Sequence, residues 1–423
     1  MTSGPARTWY PLSPLFCRVN LIVLSIPVFF ALIAMEVMWD RWKGLQLYRL
    51  GDSLANIGCG IMDQSSGLLA KVITVGAYAA VFEGTTHWRS WEVSTDPVAW
   101  IAAFVLTDFA YYWAHRTSHQ VNLFWIGHAV HHQSEDYNLG VALRQSVLQK
   151  VLLMWVYWPL AALGFPPEMF LTSMAINLLY QFWIHTELVD RLGPLEWVLN
   201  TPSHHRVHHG RNPEYIDRNH AGVLIIWDRI FGTFQEELAK PTYGVTRPTN
   251  TFNPVHAQWK PVAQLWTDLL SIPGFWDKLR FLFAAPGWYP DSVGGPQLPP
   301  AITGEEAKFH PQPSRSVTWA LLLRFAVLLG MSLLALDAAK ELGTWEITWL
   351  LVWIFAALSA TGELWNHGSS KGRLAWAIAV DAAMMPAIWL ATKPEGTELY
   401  WAVLPAAISA AFTVWALSAS NRR

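Results

Sequence analysis

The feature that most narrows the possible folds is a succession of apolar stretches from which charge almost disappears. Between Leu21 and Met38 only Glu36 is charged, and about 17 to 25 such residues wound as α-helix cross the roughly 30 Å of hydrocarbon in a bilayer. Comparable stretches run near Ala55–Phe82, Val98–Trp113, Val147–Leu163 and Met169–Ile184, and again near Val317–Leu336, Glu346–Ala360, Leu374–Ala391 and Leu399–Leu417. A bilayer core admits only structures that satisfy their own backbone polar groups, so runs of this length predict helices. The expected fold class is all-α: a polytopic transmembrane helix bundle, with a His-rich helical cap on its cytosolic side holding a dimetal site. With 52% hydrophobic and 14% charged residues the chain is too apolar for an ordinary soluble protein, and its 26 tryptophans suit many crossings of the hydrocarbon–headgroup boundary. A net charge of -2 provides no basic field for nucleic acid, which is excluded as a partner.

Four segments follow from this pattern: N-terminal transmembrane helices over 1–96, a His-rich core over 97–240, a Pro-rich interfacial or cytosolic segment over 241–316, and C-terminal transmembrane helices over 317–423. The "GFPP" at 164–167 predicts a tight reversal between two apolar helices. The stretch "TNTFNPVHAQWKPVAQLWTDLL" has an amphipathic pattern suited to the membrane surface. The first twenty residues are polar, and the apolar run behind them is too long for a signal-peptide core, so a retained first span is expected. Arg41, Lys43 and Arg49, then Arg191, Arg206, Arg211, Arg218 and Arg229, then the terminal "NRR", place those segments in the cytoplasm with about nine crossings. Cys17 and Cys59 offer neither a disulfide framework nor a thiolate metal site.

Most of the 15 histidines lie between His115 and His220, in spaced groups. "HRTSH" contributes His115 and His119, "HAVHH" contributes His128, His131 and His132, and "HRVHH" contributes His205, His208 and His209. Residues three and four apart share a helix face, so each group is expected to present its imidazoles to a common point. One such pair would be unremarkable as surface or satisfied core; three groups on one side of a membrane point to metal. Eight imidazoles are too many for one ion and suit two. His185, ending an apolar helix on the same side, is a candidate ninth ligand, and His204, four residues before His208, a candidate metal-site residue. Asp108, two helical turns before His115, is a candidate to orient the imidazoles from behind or else to pair with an Arg, and Glu187, Glu135, Asp136 and Asp228 are weaker candidates that serve equally well as helix caps or salt-bridge partners. Arg144 and Gln145, just past the second group, are candidates to hold a lipid phosphate or a pterin, with a structural contact of the Arg to a nearby carboxylate as the alternative. Tyr111, Tyr112 and Trp113 are either a lining for the substrate route or interfacial aromatics. His220, His87, His256, His310 and His367 are isolated and read as bystanders.

The chemistry narrows the metal. Imidazole suits iron, zinc, copper and nickel alike, while no cysteine lies among the groups and no "HExxH" supplies a zinc-protease base. A site beside lipid meets C–H bonds, whose oxidation by dioxygen requires a redox metal. Iron is expected, with zinc as a substitute that purification can introduce.

The phrases "HRTSH", "HAVHHQSEDYNLGVALRQSV" and "QFWIHTELVDRLGPLEWVLNTPSHHRVHHGRNPEYIDRNHAGVLIIWDRIFGTFQEE" resemble the fatty acid hydroxylase and sterol desaturase superfamily, and within it most closely the branch that opens the ether bond of alkylglycerols. The resemblance covers Leu45 to Trp288. It implies that His115, His119, His128, His131, His132, His205, His208 and His209 are essential histidines of a di-iron centre. It also implies tetrahydrobiopterin as electron donor, dioxygen as co-substrate and an ether lipid as substrate, giving an integral-membrane monooxygenase whose products are a fatty aldehyde and a glycerol derivative. Sterol, fatty acid and carotenoid hydroxylases share the histidine groups and are the alternative. A transporter would place ionisable residues within several spans, whereas here they gather at one edge. A bis-histidine haem protein would need paired histidines on facing spans.

Overall fold

The structure is a computed structural model that describes residues 21–392 apart from 95, 305, 339–341 and 369. The expected run near Leu399–Leu417, Cys17 and both chain ends lie outside the described residues. Among those described there is no strand; two isolated bridges, Leu199 with Leu224 and Gly210 with Tyr243, are the only β-type pairings.

Helix α1 (Leu21–Lys43) covers the first apolar run and stops at Gly44, whose φ of 68° opens the left-handed cap that a side chain would resist. Helix α2 (Leu50–Gly84) is 35 residues long, about 52 Å at 1.5 Å per residue, which exceeds a bilayer's hydrocarbon. Its first half therefore serves a second purpose, burying Asp52, Asn56, Asp63 and Ser65 against the His-rich region. Helix α3 (Pro97–Gln120) starts on Asp96, whose carboxylate accepts the Ala99 N–H at 2.9 Å, and carries the third apolar run straight into the first histidine pair. The short α4 (Asn122–Trp125) follows.

The run near Val147–Leu163 is not one helix. It breaks into α5 (Gln149–Leu153), a 3-10 turn at Met154–Tyr157, and α6 (Trp158–Leu163). Pro159 lacks an N–H and its ring would press on the carbonyl four residues back, so a continuous helix through this point is disfavoured. The reversal at "GFPP" is present: Gly164 takes φ 97° and α7 (Pro167–Trp183) runs back beside α3. Beyond it come α8 (Pro202–His209), α9 (Ile226–Ile230), α10 (Pro254–Ser271) and α11 (Phe275–Phe283). The final described helices are α12 (Arg315–Ala338), α13 (Thr344–His367) and α14 (Lys371–Thr392).

Three helices among the described residues, Leu50–Gly84, Arg315–Leu334 and Thr344–His367, are long and apolar enough to cross a membrane. Exposure supports that reading. Val72, Ile73, Leu24, Trp319 and Leu334 stand exposed, while Asp52, Asp63, Asp108, Asn177 and the Arg324–Asp381 ion pair are buried. Polar groups inside and large apolar groups outside is what a lipid solvent selects. On α10 the exposed Trp259, Trp266 and Leu270 lie opposite the buried Pro254, Ala257 and Gln258, as the amphipathic pattern predicts.

Helix α10 is fixed to the bundle at its start. Asn253 caps it through Oδ1, accepting the Val255 N–H at 3.0 Å, and its Nδ2 donates to Glu363 of α13 at 2.9 Å. Gly362 makes this approach possible, since a Cβ there would meet Asn253 Cα and Cβ. Gly362→Ala is expected to cost about 1–3 kcal/mol by overpacking, read as a lower unfolding midpoint in detergent; an unchanged midpoint would show that α10 is not held there.

Candidate metal centre

Nine imidazoles converge where α3, the turn after α4, the end of α7 and α8 meet. They form two groups, His115, His119, His128, His132 and His208 in one and His131, His185, His205 and His209 in the other, with the candidate ligand atoms of each group within 4.8 Å of one another and every residue buried. Two of the three sequence groups are therefore divided between the clusters, while His115 and His119 stay together. His131 parts from His128 and His132, and His208 parts from His205 and His209; on α8 the adjacent His208 and His209 point about 100° apart. The expectation that each group serves one point is corrected in this respect. It is also corrected for the middle group, which lies on a turn closed by a 3-10 segment, His131–Gln133, rather than on an α-helix.

Backbone carbonyls decide which ring nitrogen faces inward. A carbonyl oxygen can only accept, so the Nδ1 of His115 donates to His220 O at 2.7 Å, that of His131 to Arg144 O at 2.9 Å, that of His185 to Gln181 O at 2.7 Å and that of His208 to Arg218 O at 2.9 Å. His128 Nδ1 meets Gln149 Oε1 at 3.1 Å. Each Nε2 is then left as a bare lone pair. Yet the Nε2 atoms of His115 and His128 lie 2.8 Å apart, and those of His131 and His185 lie 3.2 Å apart. Two lone pairs aimed at each other repel unless a cation lies between. A proton is the poorer candidate: burial first, then neighbouring imidazoles, holds His128 and His185 far below the ordinary value of 6.5, and burial brings His131 down to about 4. Imidazole nitrogens about 2.1 Å from a metal and at right angles to each other sit about 3 Å apart. The donor set fits a metal in each group.

The remaining sites sort as follows. His185 joins the second cluster, and the next residue, Thr186, donates to the buried Glu36 of α1, which also accepts the Leu139 N–H at 2.8 Å. Glu36, the lone charge of the first apolar run, thereby ties α1 to the site; its isolation among apolar residues was the available signal. His204 belongs to neither cluster, because its place on α8 turns its ring toward Phe234, centroids 5.3 Å apart.

Asp108 does not touch an imidazole. Its carboxylate accepts from Val223 N at 2.8 Å, Leu224 N at 3.1 Å, Trp227 Nε1 at 2.9 Å and Asn177 Nδ2 at 2.5 Å. It shares the face of His115 as expected, but what meets it there is the returning loop, so it fastens the loop that supplies His220 O. Asp228 does similar work, accepting from His220 N and Ala221 N at 2.8 Å each. Glu187 lies among Tyr243, Lys240, Lys308 and Arg206 and orients no imidazole. Glu135 and Asp136 pair with Arg49, and Asp136 also with Lys308. Of the histidines read as isolated, His256 and His367 are exposed near Glu363, while His220 is fully buried beside the first cluster, a position that no spacing in the sequence announced.

Arg144 is not available to a ligand. It is 1% exposed and spends its donors on Val130 O at 2.8 Å, Asn56 Oδ1 at 3.0 Å and Gln133 Oε1 at 2.9 Å. Gln145 likewise turns to Ala142 O. Tyr111 and Tyr112 are buried and bonded to Gln181 and Thr233.

Comparison with known proteins bears on what such a centre does. The fatty acid hydroxylase family's sequence pattern matches residues 100–233, which hold all nine converging histidines. Alkylglycerol monooxygenase of Xenopus tropicalis is 41% identical over 343 residues, covering 80% of this chain and 76% of the relative. The Homo sapiens alkylglycerol monooxygenase is 44% identical over 310 residues, covering 72% and 68%. The chain belongs to the fatty acid hydroxylase family. Within that family it is a lipid-chain monooxygenase, an oxidoreductase of the membrane. A more distant relative, ornithine lipid hydroxylase OlsE of Rhizobium tropici, is 28% identical over 51% of the chain and 66% of its own length. No solved structure matches the chain.

Two outcomes are expected of this site. Arg144→Met removes three buried hydrogen bonds and leaves their acceptors unpaired, at about 1–3 kcal/mol for each such group; a loss of several kcal/mol in denaturant unfolding is expected, and a neutral substitution would contradict the buried role. The second concerns pH. Burial keeps the imidazoles of His128, His131, His132, His185, His205, His208 and His209 below 6.5, so the unfolded chain binds protons that the folded site refuses. The stability these groups contribute is present above pH about 6.5 and is lost progressively as pH falls below it through their depressed folded-state values, about 4 for His131. Metal-depleted protein should melt at a lower temperature at pH about 5 than at pH about 7; equal midpoints would contradict neutral buried imidazoles.

Proposed function

We propose that the two imidazole clusters hold two iron ions, at a site facing the cytoplasm, and that the enzyme oxidises an ether lipid with tetrahydrobiopterin as electron donor. The observation that carries this reading is the close approach of Nε2 atoms, at 2.8 Å and 3.2 Å, in a buried, cysteine-free donor set. His115, His119, His128, His132 and His208 would be the ligands of one ion, and His131, His185, His205 and His209 those of the other. A reduced pair of irons supplies the electrons that let dioxygen hydroxylate an unactivated carbon. Balanced over the reaction, alkyl ether, dioxygen, two electrons and two protons give a hemiacetal and water, and the hemiacetal parts into fatty aldehyde and free glycerol hydroxyl.

The chain's own residues set the conditions. Carbonyls of His220, Arg144, Gln181 and Arg218 hold the imidazoles in one tautomer, so the ligand atoms need not reorganise. Tyr137, bonded to Ile184 O at 3.0 Å and stacked on Tyr243 with centroids 4.8 Å apart, walls the second cluster from water. The substrate class is supported by the relatives at 41% and 44% identity, both alkylglycerol monooxygenases. A cytoplasmic site is supported by Arg and Lys beside the spans, and the four-part division, with its core over 97–240, by the family match to 100–233.

Membranes containing the chain, given 1-O-alkylglycerol, iron, oxygen and tetrahydrobiopterin, are expected to release fatty aldehyde. His131→Ala and His208→Ala, one from each cluster, should each lower the rate at least about 100-fold with protein still present in the membrane. Turnover of another lipid with no aldehyde would overturn the substrate, and full activity in both variants would overturn the site.

A further inference from the structure

His220 is 0% exposed, and neither of its ring nitrogens has a hydrogen-bond partner. A buried imidazole in that condition is costly and calls for a partner of another kind. Its surroundings indicate which. The ring centroid lies 5.2 Å from His119, 5.8 Å from His115 and 5.8 Å from His208. Ring contacts within the five-membered cluster run from 4.4 Å, for His115 and His208, to 6.3 Å, for His128 and His208, so His220 stands at the spacing of those contacts. Tyr112 closes another side at 6.2 Å.

Behind the ring, Asp228 Oδ1 is 3.7 Å from Nδ1, held in place by the N–H groups of His220 and Ala221 and by Thr233 Oγ1 at 2.6 Å. A carboxylate behind an imidazole is the usual arrangement for fixing the tautomer of a metal ligand. The preceding Asn219 adopts φ 54° and is pinned by Nδ2 to His204 O at 3.0 Å and Gln235 O at 2.7 Å, so the turn delivering His220 is rigid.

We propose that His220, backed by Asp228, is a sixth imidazole of the metal site formed by His115, His119, His128, His132 and His208. The inference rests on the metal reading of that cluster. Rotation about χ2, the soft torsion of an imidazole, is the adjustment that ligation by His220 would need. With six donors the site can release one imidazole to a non-protein ligand and still keep its ion five-coordinate.

The test uses full-length protein in detergent, loaded with Co2+ alone and then challenged with a chelator, comparing the unaltered chain with His220→Ala, His220→Phe and the exposed control His256→Ala. His220→Phe keeps the ring volume without a donor atom, which separates ligation from packing. Loss of one Co2+ at roughly 10- to 100-fold lower chelator concentration is expected in both His220 variants, with a changed visible absorption of the remaining Co2+, and with free imidazole restoring His220→Ala but not His220→Phe. The control should match the unaltered chain. Retention of both ions with the original affinity and spectrum in His220→Phe overturns the inference and leaves the metal reading standing. Failure of the unaltered chain to bind Co2+ would overturn both.

Discussion

The structure depends on one constraint: imidazole lone pairs are held face to face inside the protein by hydrogen bonds that they make outward. Each carbonyl that accepts an Nδ1–H commits the opposite nitrogen to point bare into the cluster. Nine desolvated rings in two groups are costly to assemble without a cation, so on the proposed metal reading ion binding and folding of this region would be one equilibrium. The centre in any case depends on the backbone that surrounds it.

That backbone is fastened by buried polar residues at the boundary between spans and cap. Asp108 of α3 gathers the 223–227 loop, Asp228 gathers 220–221, and Arg144 gathers 130, 133 and Asn56 of α2. Glu36 connects α1 to the residue after His185. None of these groups faces the reaction, and each holds a loop whose carbonyl or side chain does. In a low-dielectric setting such networks are strong when complete and expensive when broken, which explains why charges sit in otherwise apolar runs.

The sequence carried the helical class, the apolar runs and the reversal at Gly164, because length, periodicity and Gly–Pro chemistry are local. It carried the eight grouped histidines for the same reason, since three- and four-residue spacing is visible in a string. It did not carry the division of those groups into two clusters, because whether His131 and His132 serve one ion or two depends on where α7 and α8 end in space. The partners of Arg144 were not legible because they lie on α2 and at Val130 and Gln133, which only the fold brings to it. Asp108 was found on the correct face, yet its partner was a loop over a hundred residues away. The histidine at 220 had no neighbour in sequence to give it meaning, and Pro159 was read within a continuous run although its missing N–H favours a break.

The central claim is that the two clusters each take an ion. Metal analysis of the active, purified enzyme tests this most directly, counting iron per chain by elemental analysis and locating it by anomalous scattering. The account requires two ions per chain, one among the rings of His115, His128 and His208 and the other among those of His131, His185 and His205. Fully active protein with no transition metal, or with a single ion, would contradict it.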